Sequence, residues 1–290
     1  MKLKIFQKGF NYSQDGPGNR LVFHLQGCNM RCPWCSNPEG LEPGGILMTD
    51  KEWLYEGCCE KGAVRDGTLD RSLCSVCEEK GCVTGNRQRG IRLSCREYEI
   101  DDIAAECERS KPLYFDNGGV TLTGGEISVQ LEAVGELLKR LKQSSISCAV
   151  ETNGSNIGLA ELIPFVDHWI IDVKHYDAEV HKKWVGVSNS VTGKVLQKVT
   201  EATENVLIRV PLIPGFNAGK EDASGFVSFI RQHVCRDNIK IEFLPYHEFG
   251  KAKWEQCGLA YKMPAQKIPK ETVDFFEKTM TENGFTCIRT

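Results

Sequence analysis

Six short β-rich runs recur along this chain of 290 residues, with amphipathic stretches between them. The runs are 20–26, 120–123, 147–151, 169–173, 206–210 and 240–244. Leu131, Val134, Leu137, Leu138 and Leu141 repeat at helical spacing after the second run. Phe226, Phe229 and Ile230 do so before the sixth, and Val273, Phe276 and Met280 after it. Strand–helix alternation of this kind predicts parallel βαβ units in an α/β fold. The runs are nearly continuously apolar, which predicts strands covered on both faces. Six units suit an open partial (β/α)6 barrel of the TIM type better than a complete eightfold one, and a doubly wound sheet shares the same pattern. In either architecture a site belongs at the carboxyl ends of the strands.

Residues 44–95 break the rhythm. They carry Cys58, Cys59, Cys74, Cys77, Cys82 and Cys95 among glycines and charges, with no clear strand–helix pair. So long an irregular stretch predicts an inserted small module, dividing the chain into a barrel of residues 1–43 and 96–290 and an insert of 44–95. Bound metal would supply the stability that its thin apolar content does not.

Fourteen cysteines are too many for chance, and nine of them fall between Cys28 and Cys95. The first residues carry two lysines but no apolar core, so they do not read as a signal peptide, and metal ligation is a better reading than disulfides. Cys107, Cys148 and Cys235 read as buried inert thiols. A net charge of −3 gives no basis for wholesale nucleic-acid binding, and no apolar run reaches the roughly 20 residues that span a membrane. A cytoplasmic protein is the expectation.

The first run leads into Gln26-Gly27-Cys28-Asn29-Met30-Arg31-Cys32-Pro33-Trp34-Cys35. Three thiolates at Cys-x3-Cys-x2-Cys spacing can converge on one cluster if the chain loops tightly, as Gly27 and Pro33 allow. Three ligands on a four-iron cubane leave one iron open, the counterpart of the open position in a catalytic metal site. A structural zinc loop with a distant fourth ligand and a redox disulfide are the competing readings. Further groups end later runs: Thr123-Gly124-Gly125-Glu126, Glu151-Thr152-Asn153-Gly154, and Asp172-Val173-Lys174. Arg209 lies within the fifth run and His247 follows the sixth.

The triplet, the run Asp15-Gly16-Pro17-Gly18-Asn19-Arg20 and the strand-end groups together resemble the radical-SAM activating enzymes of glycyl radical enzymes, the group of pyruvate formate-lyase activating enzyme and its paralogues. The resemblance covers nearly the whole chain outside the insert. It implies a [4Fe–4S] cluster on Cys28, Cys32 and Cys35 that binds S-adenosylmethionine and cleaves it to a 5′-deoxyadenosyl radical. That radical takes a hydrogen from a backbone glycine of a partner glycyl radical enzyme, with flavodoxin or ferredoxin as the reductant.

By the same resemblance, Gly124, Gly125 and Glu126 hold the cofactor's amino group. Trp34, Ser36, Asp172, Val173, Lys174, Arg209 and His247 lie beside it, and Glu151 and Asp172 hold a monovalent cation. Pyruvate formate-lyase activating enzyme itself carries Asp where this chain has Glu151, and His where it has Ser36.

The insert resembles a ferredoxin-like module with half its cysteines missing, Lys80 standing where a ligand would be. Cys59, Cys74, Cys77 and Cys82 would hold one auxiliary [4Fe–4S] cluster, with Cys58 or Cys95 as substitutes and a four-cysteine zinc knot as the rival. An iron–sulfur electron carrier and a radical-SAM enzyme acting on a small molecule are the alternative functions.

Overall fold

The structure is a computed structural model, and it describes residues 1–78, 81–84, 90–115, 117–236 and 238–290. Nine strands make one sheet: β1 (Lys2–Tyr12), β2 (Asn19–Leu25), β3 (Arg96–Glu99), β4 (Gly119–Gly124), β5 (Cys148–Thr152), β6 (His168–Asp172), β7 (Val206–Leu212), β8 (Lys240–Pro245) and β9 (Thr286–Cys287). Their order is β9-β8-β7-β6-β5-β4-β2-β1-β3. From β2 through β4 to β9 every neighbouring pair is parallel. The six expected strands are therefore β2 and β4 to β8, in sequence order and each within two residues of its expected ends. Because β9 and β3 are the two edges, the barrel is open.

Strand β1 was not anticipated. It is antiparallel to β2 and to β3, with a register irregularity between Ile5 and Gln7. Its first half does alternate, Leu3 and Ile5 inward and lysines outward, as a half-buried strand should.

The strands' two faces differ, which corrects the expectation that both are apolar. Phe23, Leu122, Val150, Ile171, Ile208 and Phe243 point into a core shared with the helices. The helices of the barrel are α1 (Ile100–Arg109), α2 (Leu131–Gln143), α3 (Ala178–Val185), α4 (Ser190–Ala202), α5 (Lys220–His233), α6 (Lys251–Gln256) and α7 (Lys270–Glu282), and α1, α2, α4, α5 and α7 supply that core. α2, α5 and α7 bury the residues whose spacing predicted them, apart from Leu131, which is half-buried. The opposite positions carry Arg20, Thr121, Thr123, Glu151, Asp172, Arg209 and Glu242. The barrel interior is a polar network.

The 44–95 segment begins and ends at one antiparallel pair, Leu47–Thr49 against Ile91–Leu93. Inside it are a second small hairpin and two single-turn helices, Arg71–Ser75 and Gly81–Thr84. Leu54, Cys58, Ala63, Val64, Leu69 and Ile91 make its own small buried cluster. Lys80 lies outside the described residues. Among those described, no helix is long and apolar enough to cross a membrane.

Candidate active site

The loop after β2 is closed by its own backbone. Gly27 N–H donates to Gly40 O at 2.8 Å and Cys28 N–H to Leu41 O at 3.0 Å. Buried Gln26 fixes the returning end by donating to the carbonyls of Glu39 (2.8 Å) and Glu42 (2.7 Å). Within the loop Cys35 N–H donates to Cys32 O, a tight turn around Pro33.

β4 ends against this loop. Gly125 N–H donates to Leu25 O and Glu126 N–H to Gly27 O, both at 2.8 Å. A Cβ on Gly124 would lie 2.3 Å from Leu25 N, and one on Gly125 2.2 Å from Gly27 O. The two glycines thus let one backbone abut another, so they position the cysteine loop as well as facing the space beside it.

That space is a cavity of about 250 Å³ at the carboxyl ends of the strands. Cys28, Cys32 and Cys35 all line it, as do Trp34, Ser36, Gly124, Gly125, Glu151, Asp172, Lys174 and His247. Burial pushes all three thiols up, Cys35 to about 12. They are therefore neutral until a metal displaces their protons. Among the described residues no three His, Cys, Asp or Glu side chains gather closely enough for a single metal ion. The triplet instead surrounds a cavity from one side. Three soft ligands there, with the opposite wall polar, fit a cubane that keeps one iron open.

Three expected site residues sit elsewhere. Glu126 is 1% exposed and turned away from the cavity. Its carboxylate accepts from Thr152 Oγ1 (2.7 Å), Asn153 N–H (2.8 Å) and Ser128 N–H (3.0 Å). Val173 points into the helix-facing core between the two cavity residues that flank it. Arg209 lies below the cavity, donating to Glu151 at 2.7 Å, to Glu242 at 2.8 Å and to Gln14 O.

Each acid of the expected cation site already has a fixed cation. Glu151 holds Arg209 and accepts from Thr123 Oγ1 at 2.7 Å. Asp172 holds Lys174 at 2.6 Å. Burial opposes the charge on both basic groups, but their carboxylates outweigh it and raise both above their usual range. Glu151 and Asp172 as they stand do not fit a monovalent ion.

Trp34 packs against Phe216 at 4.8 Å between ring centroids, and His247 stacks on Phe249 at 4.2 Å at the exposed rim. The Asp15–Gly18 turn closes the interior from below. Asp15 O accepts from Thr121 Oγ1 (2.6 Å) and Pro17 O from Arg20 (3.1 Å). Gln26, Thr152 and Glu242 were not foreseen. Glu242 had a signal, a lone acid inside an apolar run.

In the insert, Cys58, Cys59, Cys77 and Cys82 line one cavity of about 50 Å³, and Cys74 packs on the same buried cluster. Cys95 lies apart, against Gly45 and beside Ser94. All fourteen cysteines are free; Cys107 and Cys148 are buried as expected, but Cys235 is exposed.

A triplet of thiols at the carboxyl edge of an open parallel barrel defines a class. Residues 22–227 match the Radical SAM superfamily, and the chain belongs to it. A [4Fe–4S] cluster and S-adenosylmethionine come with that membership. The chain is 31% identical to 4-hydroxyphenylacetate decarboxylase activating enzyme of Clostridioides difficile (strain CD196), over 94% of this chain and 91% of the relative. It is 33% identical to choline trimethylamine-lyase activating enzyme of Oleidesulfovibrio alaskensis, over 85% and 84%. Within the superfamily it therefore belongs with the activating enzymes of glycyl radical enzymes. Streptococcus suis SuiB bound to precursor peptide SuiA shares the fold at a TM-score of 0.53, with 11% identity, over 92% of this chain and 48% of SuiB.

Proposed function

We propose that this chain installs a glycyl radical on a partner enzyme of the decarboxylase or lyase kind that its relatives serve, with flavodoxin or ferredoxin as reductant. The observation that carries the reading is the convergence of Cys28, Cys32 and Cys35 on one cavity with Lys174 and Asp172. When bound, the cluster and S-adenosylmethionine supply one-electron cleavage to a 5′-deoxyadenosyl radical. The chain's own residues bind and orient. Gly124 and Gly125 present backbone beside the cysteine loop to the cofactor's amino group, and Glu126 holds that strand end in place from behind. Lys174 offers an ammonium to a carboxylate. Trp34, Ser36 and His247 flank the nucleoside, and Arg209 fixes Glu151.

We assign the charge balance at Glu151 and Asp172 to Arg209 and Lys174 rather than to a monovalent cation. Residues 44–95 form the inserted module, and Cys59, Cys74, Cys77 and Cys82 hold its auxiliary [4Fe–4S] cluster, with Cys58 as the substitute ligand. Free thiols and such clusters suit a reducing cytoplasm.

The test is anaerobic incubation of the reconstituted, reduced protein with S-adenosylmethionine. The expected product is 5′-deoxyadenosine, followed by a glycyl radical signal in electron paramagnetic resonance when the correct partner is added. No 5′-deoxyadenosine from iron-replete protein would sink the reading.

A further inference from the structure

Helix α6 touches both the cysteine loop and the insert. Its Trp254 Nε1–H donates to the carbonyl of Cys35 at 2.8 Å. Lys253 reaches the same loop, pairing with Glu39 at 2.6 Å and donating to Asn37 Oδ1 at 2.9 Å. The opposite end of α6 is held by the insert. Arg71, on the same single-turn helix as Cys74, donates to Gln256 O at 3.0 Å and to Leu47 O. Thr49 Oγ1 donates to Gln256 O at 3.3 Å, and Lys51 pairs with Glu255. Gly258 ends the helix at φ +69°, and a Cβ there would lie 2.0 Å from Arg71 Nε, so the absent side chain makes room for the guanidinium.

A helix of six residues is far below the roughly 12–15 that are marginal alone in water, and its last carbonyls need outside donors. Here the chain's own backbone beyond the helix takes the carbonyls of Lys253, Trp254 and Glu255, and the insert supplies the donors to the last one, Gln256 O. We propose that α6 is a strut by which the docked insert holds Cys35, with Trp254 as the positioning residue at one end and Arg71 at the other. The inference rests on the reading of Cys35 as a cluster ligand only for its consequence, not for its geometry.

The test therefore begins on cluster-free protein, by hydrogen exchange of the Cys35 and Asn37 amides. Trp254→Phe keeps an aromatic side chain, smaller than the indole, and removes the N–H. One net hydrogen bond of about 1 kcal/mol corresponds to exchange roughly fivefold faster. Arg71→Met touches no residue of the cysteine loop, yet should speed the same amides to a similar degree while the sheet strands stay protected. The double variant should exchange no faster than the faster single one, because both act through one element. Wild-type exchange in Arg71→Met, or additive effects, would overturn the strut. Should Arg71→Met melt the insert, Thr49→Val removes only a hydroxyl donor to the same carbonyl and repeats the test. In reconstituted protein, Trp254→Phe and Arg71→Met should both speed cluster loss to a chelator. Both should also alter the line shape of the reduced cluster in electron paramagnetic resonance. Faster exchange without either change leaves the strut standing and removes Cys35 from the cluster.

Discussion

Arg209→Met is the sharpest test of the barrel interior. The substitution keeps the length of the stem and removes a guanidinium held by Glu151 at 2.7 Å and Glu242 at 2.8 Å. Glu242 is almost fully buried and Glu151 about four-fifths so, hence both carboxylates would be left facing each other with little solvent. Breaking a buried ion pair from one side costs about 3–5 kcal/mol, because the surviving charge has lost its solvation and its partner. Here one cation serves two anions, so the upper half of that range is expected: about 4 kcal/mol, a large part of the 5–15 kcal/mol typical of a whole domain. The assay is guanidinium denaturation of the reduced, cluster-free protein, followed by far-ultraviolet circular dichroism. Arg209→Met/Glu242→Gln should recover part of the loss, since one of the two stranded charges is then gone. A loss below about 1 kcal/mol, or no recovery in the double variant, would show that the network is solvated and that Arg209 does not fix Glu151.

Gly125→Ala should leave the secondary structure intact yet fail to retain iron on the triplet. Its Cβ would sit 2.2 Å from Gly27 O and push the cysteine loop off β4; full iron retention counts against that role. Cys74→Ala/Cys77→Ala should lower iron per chain by about half, as two cubanes become one. Unchanged iron with lost zinc would identify a zinc knot. His181 is 2% exposed, and burial lowers its pKa to about 4, with the bond to Val187 O opposing. Its neutral form is favoured in the fold, so its contribution is complete above about pH 6.5 and lost as pH falls towards 4. The size is about 3 kcal/mol at one pKa unit per 1.36 kcal/mol. His181→Asn should flatten the pH dependence of the denaturation midpoint over that window, and an unchanged slope would rule this out.

The parallel strands and the triplet were legible because their signals are local. Runs such as 206–210 and 240–244 are dense in β-branched and aromatic residues, and Cys-x3-Cys-x2-Cys is read within eight positions. The polar interior was not legible. Arg209 and Glu242 each interrupt an apolar run once, Thr121 shares a four-residue run with Thr123, and Glu151 ends its run; so few polar positions in a short strand cannot be assigned to a face until the neighbouring strands fix the register. Glu126 and Arg209 were read as cofactor contacts through the family resemblance, Glu126 at a strand end and Arg209 from within its run. Only the fold reveals that Thr152, Asn153 and Ser128 have already taken the one and Glu242 the other. β1 escaped because its second half, from Gln7 on, is largely exposed and loses the alternation that Leu3 and Ile5 begin.

The two-faced sheet also explains why the chain stops short of a closed barrel. In a closed eight-stranded barrel the inward side chains fill the interior in layers and make a solid core. Here the inward positions near the carboxyl edge are Thr123, Glu151 and Asp172, whose partners are other polar side chains, and the space above them is open. Closing the sheet would require β9 to pair with β3, yet β9 is two residues long and β3 is already turned antiparallel by β1. The sheet therefore keeps two edges and the interior keeps a mouth. A cofactor could be enclosed by a complete barrel just as well. What the proposed protein substrate would need beyond the cofactor is a wide approach to the carboxyl ends of the strands, and the unclosed sheet is compatible with that use.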